Sequence, residues 1–200
     1  MSNGNGAHPE NHTVVAIVED KPGVLQRVAG LFRRRGFNIE SLSVGHSEFE
    51  GLSRMTIVVD GASATVEQVE KQLYKLIDVI KVTDLSKEES VDRELALIKV
   101  RCNNINRHEL LDIANVFRAD VVDIATNSII LQVVGSSDKI EGIIKMCQPY
   151  GIRELARTGK VAMVRGTKTT TVHEPEPESV RRIHMSQGRR VEGDLPFSSD

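Results

Sequence analysis

Thr13-Val14-Val15-Ala16-Ile17-Val18 is a short, β-branched apolar run suited to a central strand. It stops at Glu19-Asp20-Lys21-Pro22-Gly23. Pro22 suits the first turn of a helix, where its missing N–H costs nothing, and Asp20 stands just upstream as a cap. Apolar residues at Val24, Leu25, Val28, Leu31 and Phe32 then recur at the spacing of one helical face. Arg33, Arg34 and Arg35 crowd the last turn, where positive charge suits the helix dipole. Gly36 supplies the stop. A second strand is predicted from Phe37 to about His46, and a third through Met55, Ile57 and Val59, closed by Gly61. Val66, Val69, Leu73, Leu76, Ile77 and Ile80 mark a second helix, and Lys81 to Leu85 a last strand. The order β-α-β-β-α-β is the ferredoxin-like split unit, and it fills residues 12–87.

Lys87-Glu88-Glu89-Ser90 reads as a polar linker, after which the pattern repeats. Glu94 to Arg101 is a strand, and Leu110, Leu111, Ile113, Ala114 and Phe117 form a helix face. Val121 to Ala125 and Ile129 to Val134 are strands joined by a Thr126-Asn127-Ser128 turn. Ile140, Ile143, Ile144 and Cys147 form another helix face ended by Pro149, followed by strands at Ile152–Arg157 and Val161–Val164. The expected fold is therefore α+β: two ferredoxin-like βαββαβ domains, residues 12–87 and 92–166, each an antiparallel sheet with helices on one face. Residues 1–11 and the polar, Pro- and Thr-rich 167–200 are expected to be disordered, because they carry too little apolar surface to offset ordering entropy.

Composition narrows the function. The 200 residues are 40% hydrophobic but only 4% aromatic and carry no Trp, so Val, Ile and Leu must build the core. The net charge of −2 is mixed along the chain, with no basic stripe interleaved with aromatics, which disfavours nucleic acid as a ligand. Cys102 and Cys147 follow no CxxC spacing and read as reduced thiols. No apolar run approaches the roughly 20 residues that span a bilayer, and residues 1–11 resemble neither a signal nor a transit peptide. The expected location is the cytoplasm. His12, His46, His108 and the cysteines show no metal-ligand spacing, and neither a Ser/His/Asp arrangement nor a phosphate-binding glycine loop stands out. The Arg33-Arg34-Arg35 run reads as a solvated face, His108 as a surface residue at a helix start, and Cys147 as a small core residue.

The most informative stretch is Glu19 to Leu25. A tight glycine-containing turn between a strand and a helix N-terminus offers free backbone N–H groups, which suit a carboxylate. Gly23 lets a small ligand approach the backbone, Asp20 can receive an ammonium group, and Asn38 beyond the helix offers both a donor and an acceptor. These are the groups that hold a zwitterionic amino acid; an ordinary capped helix with a turn glycine has the same spacing.

Asp20-Lys21-Pro22-Gly23-Val24-Leu25 followed by Gly36-Phe37-Asn38-Ile39-Glu40-Ser41-Leu42 resembles the ACT domain of the acetolactate synthase small subunit. Leu52 to Val59 and Glu67 to Leu73 continue the likeness, and Glu94 to Gly166 resembles that family's C-terminal domain more loosely. The resemblance implies a regulatory, non-catalytic chain that activates a separate large subunit and confers feedback inhibition by valine or another branched-chain amino acid. Thiamine diphosphate, magnesium and FAD would reside on that large subunit, none of them on this chain. It implies a homodimer through ACT domains, with the effector at the junction and Asp20, Gly23, Val24, Leu25, Asn38 and Ile39 at its site. Val24, Leu25 and Ile39 would meet an apolar side chain, although Leu25 also fits the core. Asp20 departs from the Asn common in the family, and Gln26 from a smaller residue. The alternative is a free-standing ACT-type amino-acid sensor acting on another protein partner.

Overall fold

The computed structural model describes residues 11–60 and 63–171. The N-terminal unit runs β1 (Asn11–Glu19), α1 (Val24–Arg35), β2 (Ile39–His46), β3 (Leu52–Asp60), α2 (Ser63–Leu73) and β4 (Val79–Asp84). Its sheet has the order β2-β3-β1-β4 and is antiparallel throughout. β1 and β3 pair from Asn11 opposite Asp60 to Glu19 opposite Leu52.

Alternate residues of these strands (Val14, Ala16, Val18, Met55, Ile57, Val59) pack against Val24, Val28, Leu31 and Phe32 of α1 and Val66, Val69 and Leu73 of α2. Phe32 is fully buried and meets Phe37 edge-on, with centroids 6.0 Å apart, a contact worth about 1 kcal/mol beyond area burial. Gly36 ends α1 in the left-handed conformation at φ 70°, as predicted. The second helix is shorter than its sequence pattern. α2 stops at Leu73; Ile77 falls in the following turn with 94% of its surface exposed, and Ile80 belongs to β4.

The C-terminal unit repeats the plan with β5 (Ser90–Arg101), α3 (Arg107–Val116), β6 (Asp120–Ile124), β7 (Ser128–Gly135), α4 (Ser137–Cys147) and β8 (Ile152–Arg157), in the order β6-β7-β5-β8. A short β9 (Val161–Val164) follows and pairs with Ser90–Arg93, the first residues of β5. The expected linker is therefore mostly structured: a 3-10 turn at Leu85–Lys87 leads within two residues into β5.

The β5–β9 ribbon and the 3-10 turn lie on the face of the first sheet that the helices leave open. Val15, Ile17, Leu85 and Ala162 form a small core there, with Leu52 and Val164 against it. Arg54, half-buried, donates to the Ala162 carbonyl at 2.8 Å and to Thr170 Oγ1 at 2.7 Å. Thr170 is only 5% exposed, and Lys81 Nζ reaches the Thr171 carbonyl at 2.7 Å. The expectation that disorder begins at residue 167 is corrected over 167–171, which are held by these polar contacts rather than by apolar burial. Asn11 is likewise part of β1. Residues 1–10 and 172–200, the remainder of the expected disordered ends, lie outside the described residues. Among the described residues no helix is long and apolar enough to cross a membrane.

Candidate effector site

The bend between β1 and α1 differs in detail from its sequence reading. The helix starts at Val24, not at Pro22, and its cap is Gly23 at φ 89° and ψ −11° with no side-chain cap bond. The Val24 N–H reaches back to the Lys21 carbonyl at 3.4 Å. Pro22 and Gly23 thus occupy the two central positions of a turn with the type II signature, where Pro fixes the first and only a residue tolerant of positive φ suits the second. That turn displaces the helix start and leaves Asp20 too far upstream to cap it. The Asp20 carboxylate instead meets His46 Nδ1 at 3.1 Å, an exposed pair at the end of β2.

The backbone of the bend is fixed from both sides. The Glu19 N–H donates to the Asp78 carbonyl at 2.9 Å and the Asp20 N–H to the Gly51 carbonyl at 2.8 Å. Beside it, Arg27 grips the buried Asp78 carboxylate with Nε at 2.6 Å and Nη2 at 2.8 Å. Arg27, Asp78 and His46 were not among the sequence candidates. Arg27 has the only visible signal, a cation one turn inside a helix whose first turn carries no acid; the other two are joined to the bend by tertiary structure alone.

The side chain of Val24 is 3% exposed and packed in the core, so it offers the site its backbone. Leu25, by contrast, is 45% exposed, which corrects its reading as a core residue and places an apolar side chain beside the bend. Asn38 is exposed beyond the other end of α1, its Nδ2 turned to the Glu40 carboxylate, and Ile39 packs partly on the core. A helix of the 12 residues of α1 is about 18 Å long. Asp20, Gly23 and Leu25 therefore gather at one end and Asn38 and Ile39 at the other, too far apart to hold one amino acid within a single chain. Among the described residues no cluster of three or more His, Cys, Asp or Glu is arranged to hold a metal ion.

A family model for an AHAS small subunit-like ACT domain matches residues 15–81, and one for the small subunit of acetolactate synthase matches residues 93–166. A probable acetolactate synthase small subunit of Archaeoglobus fulgidus is 58% identical over 157 residues, spanning 78% of this chain and 98% of that protein. The acetolactate synthase small subunit of Mycolicibacterium smegmatis is 49% identical over 168 residues, 84% of this chain and 96% of its own. The crystal structure of the acetolactate synthase small subunit from Thermotoga maritima superposes with a TM-score of 0.73 at 43% identity, covering 79% of this chain and 99% of that one. With both halves and the bend accounted for by one family, this chain belongs to the acetolactate synthase small subunits.

Proposed function

We propose that the chain is a regulatory, non-catalytic subunit that activates a catalytic acetolactate synthase large subunit and transmits feedback inhibition by valine or another branched-chain amino acid. Membership of the family carries the regulatory role; the effector and its seat are argued from the bend. The observation that carries the reading is the turn at Gly23, whose cap makes no side-chain hydrogen bond among the described residues, with an exposed Leu25 beside it. Backbone N–H groups there suit a carboxylate, Asp20 an ammonium, and Leu25 a branched aliphatic side chain.

Two copies complete the site. β2 and β4 are the end strands of the first sheet. On β4 the Tyr74 hydroxyl bonds both the carbonyl and the N–H of Val82, at 3.0 and 3.1 Å, so that edge is closed to a further strand at its middle. β2 begins beside Asn38 and ends at His46, the partner of Asp20. Antiparallel pairing of β2 with its own copy about a two-fold axis brings Asn38 and Ile39 of one chain to the Asp20–Gly23 bend of the other. An effector bound across that junction favours one arrangement of the pair, and its differential affinity, typically ~1–3 kcal/mol of coupling, passes to the large subunit. Thiamine diphosphate, magnesium and FAD belong to that larger chain in this scheme.

Calorimetric titration of the full chain with valine, leucine and isoleucine tests the reading. Saturable binding of at least one at one site per bend is expected, weakened about tenfold or more in Asn38→Ala. Absence of binding by all three would remove the effector assignment.

A further inference from the structure

The Arg27 guanidinium leans against the bend but is held there by only one of its edges. Nε and Nη2 face Asp78, whose own position is fixed by burial and by the bond from the Glu19 N–H to its carbonyl. A guanidinium has five N–H donors in a rigid fork; the side-on pair to Asp78 engages one on Nε and one on Nη2. The end formed by Nη1 and the second Nη2 hydrogen is turned elsewhere, and Nη1 lies 3.7 Å from the point where a Cβ on Gly23 would sit. About half of the Arg27 side chain is exposed, so its Nη1 end stands beside the Gly23 turn on a side chain that solvent reaches.

We propose that Arg27 is the carboxylate-binding residue of the effector site: its Nη1–Nη2 end takes the α-carboxylate of the amino acid, while Asp78 holds the group by its other edge. This rests on the effector reading above. The arrangement separates the two charges of a zwitterion, with the carboxylate toward α1 and the ammonium toward Asp20 on the strand side of the turn. The fork geometry adds specificity for a planar anion that backbone N–H groups alone do not have. A purely structural Arg27 would staple α1 to the α2–β4 turn and be indifferent to what the ligand carries at its carboxyl end.

That difference supplies the test. Binding of valine and of valinamide, and of leucine and leucinamide, is measured on the full-length chain by calorimetry. The amides keep the ammonium and the side chain but lose the anion. The wild-type chain is expected to prefer the acid by about ten- to a hundredfold. In Arg27→Met that preference collapses to less than about threefold while amide affinity is retained, and thermal melting reports whether the variant is folded. Arg27→Lys, which keeps the charge without the fork, falls between the two and carries the test if the Met variant does not fold. An undiminished acid preference in a folded Arg27 variant overturns this inference and leaves the effector reading standing. Wild-type protein that binds neither acid nor amide overturns both.

Discussion

The two sheets share one strand order but treat their second faces differently. In the first, β1 and β3 are buried on both sides along most of their length, because the 3-10 turn at Leu85, β9 and residues 170–171 cover what the helices do not. In the second, burial alternates along β5: Glu94, Ala96, Ile98 and Val100 point into the helix layer, and Leu97 is left 37% exposed. The openings into the first helix of each unit differ as well. Before α3, Asn103 Oδ1 accepts from the Ile105 and Asn106 N–H groups and Asn106 Oδ1 from that of Asn103. The side chain of Arg107 there is directed at the carbonyls of Ala125 and Thr126 and at Cys102 Sγ. The loop closes on itself. The bend before α1 has no such asparagine, and one end of its arginine stays open. One fold plan thus yields one unit whose opening turn has no side-chain cap bond and one whose equivalent turn is closed by its own asparagines.

The sharpest way to break this contrast is to fill the open turn. Gly23→Asp places a side chain at φ 89°, a strained conformation for any residue with a Cβ, and an acid where the effector carboxylate is to sit. The expected loss of effector affinity is at least about a hundredfold, read by calorimetry. Asn103→Ala opens the equivalent turn of the second unit. It should lower stability by about 1 kcal/mol and leave effector affinity within about twofold. If Asn103→Ala weakened effector binding as much as Gly23→Asp, the division of labour between the two turns would be wrong.

The covering of the first sheet can be tested at Gly159. A Cβ built there would stand 2.2 Å from the carbonyl oxygen and 2.5 Å from the carbonyl carbon of Leu42, in the backbone of β2. The Lys160 N–H bonds Ser41 Oγ at 2.9 Å next to it, so the β8–β9 loop is seated on that strand. Gly159→Ala must push the loop away and is expected to cost about 1–3 kcal/mol, seen as a lower urea midpoint. Gly45→Ala, also in β2 but with open space around its Cα, is the control and should move the midpoint little. Equal midpoints for the two variants would mean that the loop is not pressed against β2.

Local patterns made much of this fold legible, and long-range partners hid the rest. The unbroken apolar run Val14–Val18 announces a central strand, whereas the apolar stretch Leu95–Ile98 of β5 does not announce the one-sided burial that the structure shows. What covers the first sheet was not readable, since Ala162 and Thr170 carry no signal of their destination and Leu85 looked like the end of a strand. The extended second helix is a matter of spacing: Leu76, Ile77 and Ile80 continue a helical period, but Ile80 lies in β4 at the register shift beside β1, and the turn leaves Ile77 in solvent. At the bend, Pro22-Gly23 was read as a helix start when the pair fits a turn preceding one. The candidate residues lie at both ends of α1, and the strand order that puts β2 at an edge of the sheet is a tertiary feature that no local pattern announces.

The smallest expected effect distinguishes the two cores by their chemistry. Cys147 is fully buried among Ile140, Ile143 and their neighbours in the second core, whereas the first core contains no cysteine. Burial disfavours its thiolate and pushes the thiol up to about 11. The unfolded chain releases this proton first, so the contribution is fully present below about pH 8.5 and is lost as pH climbs toward 11. Near pH 10 the loss should be on the order of 1 kcal/mol. It is read as the difference in urea stability between the wild type and Cys147→Ala at pH 7 and pH 10, because other groups titrating there cancel in that difference. The variant starts less stable through the cavity it opens, and the gap narrows as pH rises. Since Val15, Ile17, Leu85 and Ala162 tie the two units together, the narrowing should appear in a single unfolding transition by circular dichroism. A separate transition that alone shifts with pH would show that the shared core does not couple them.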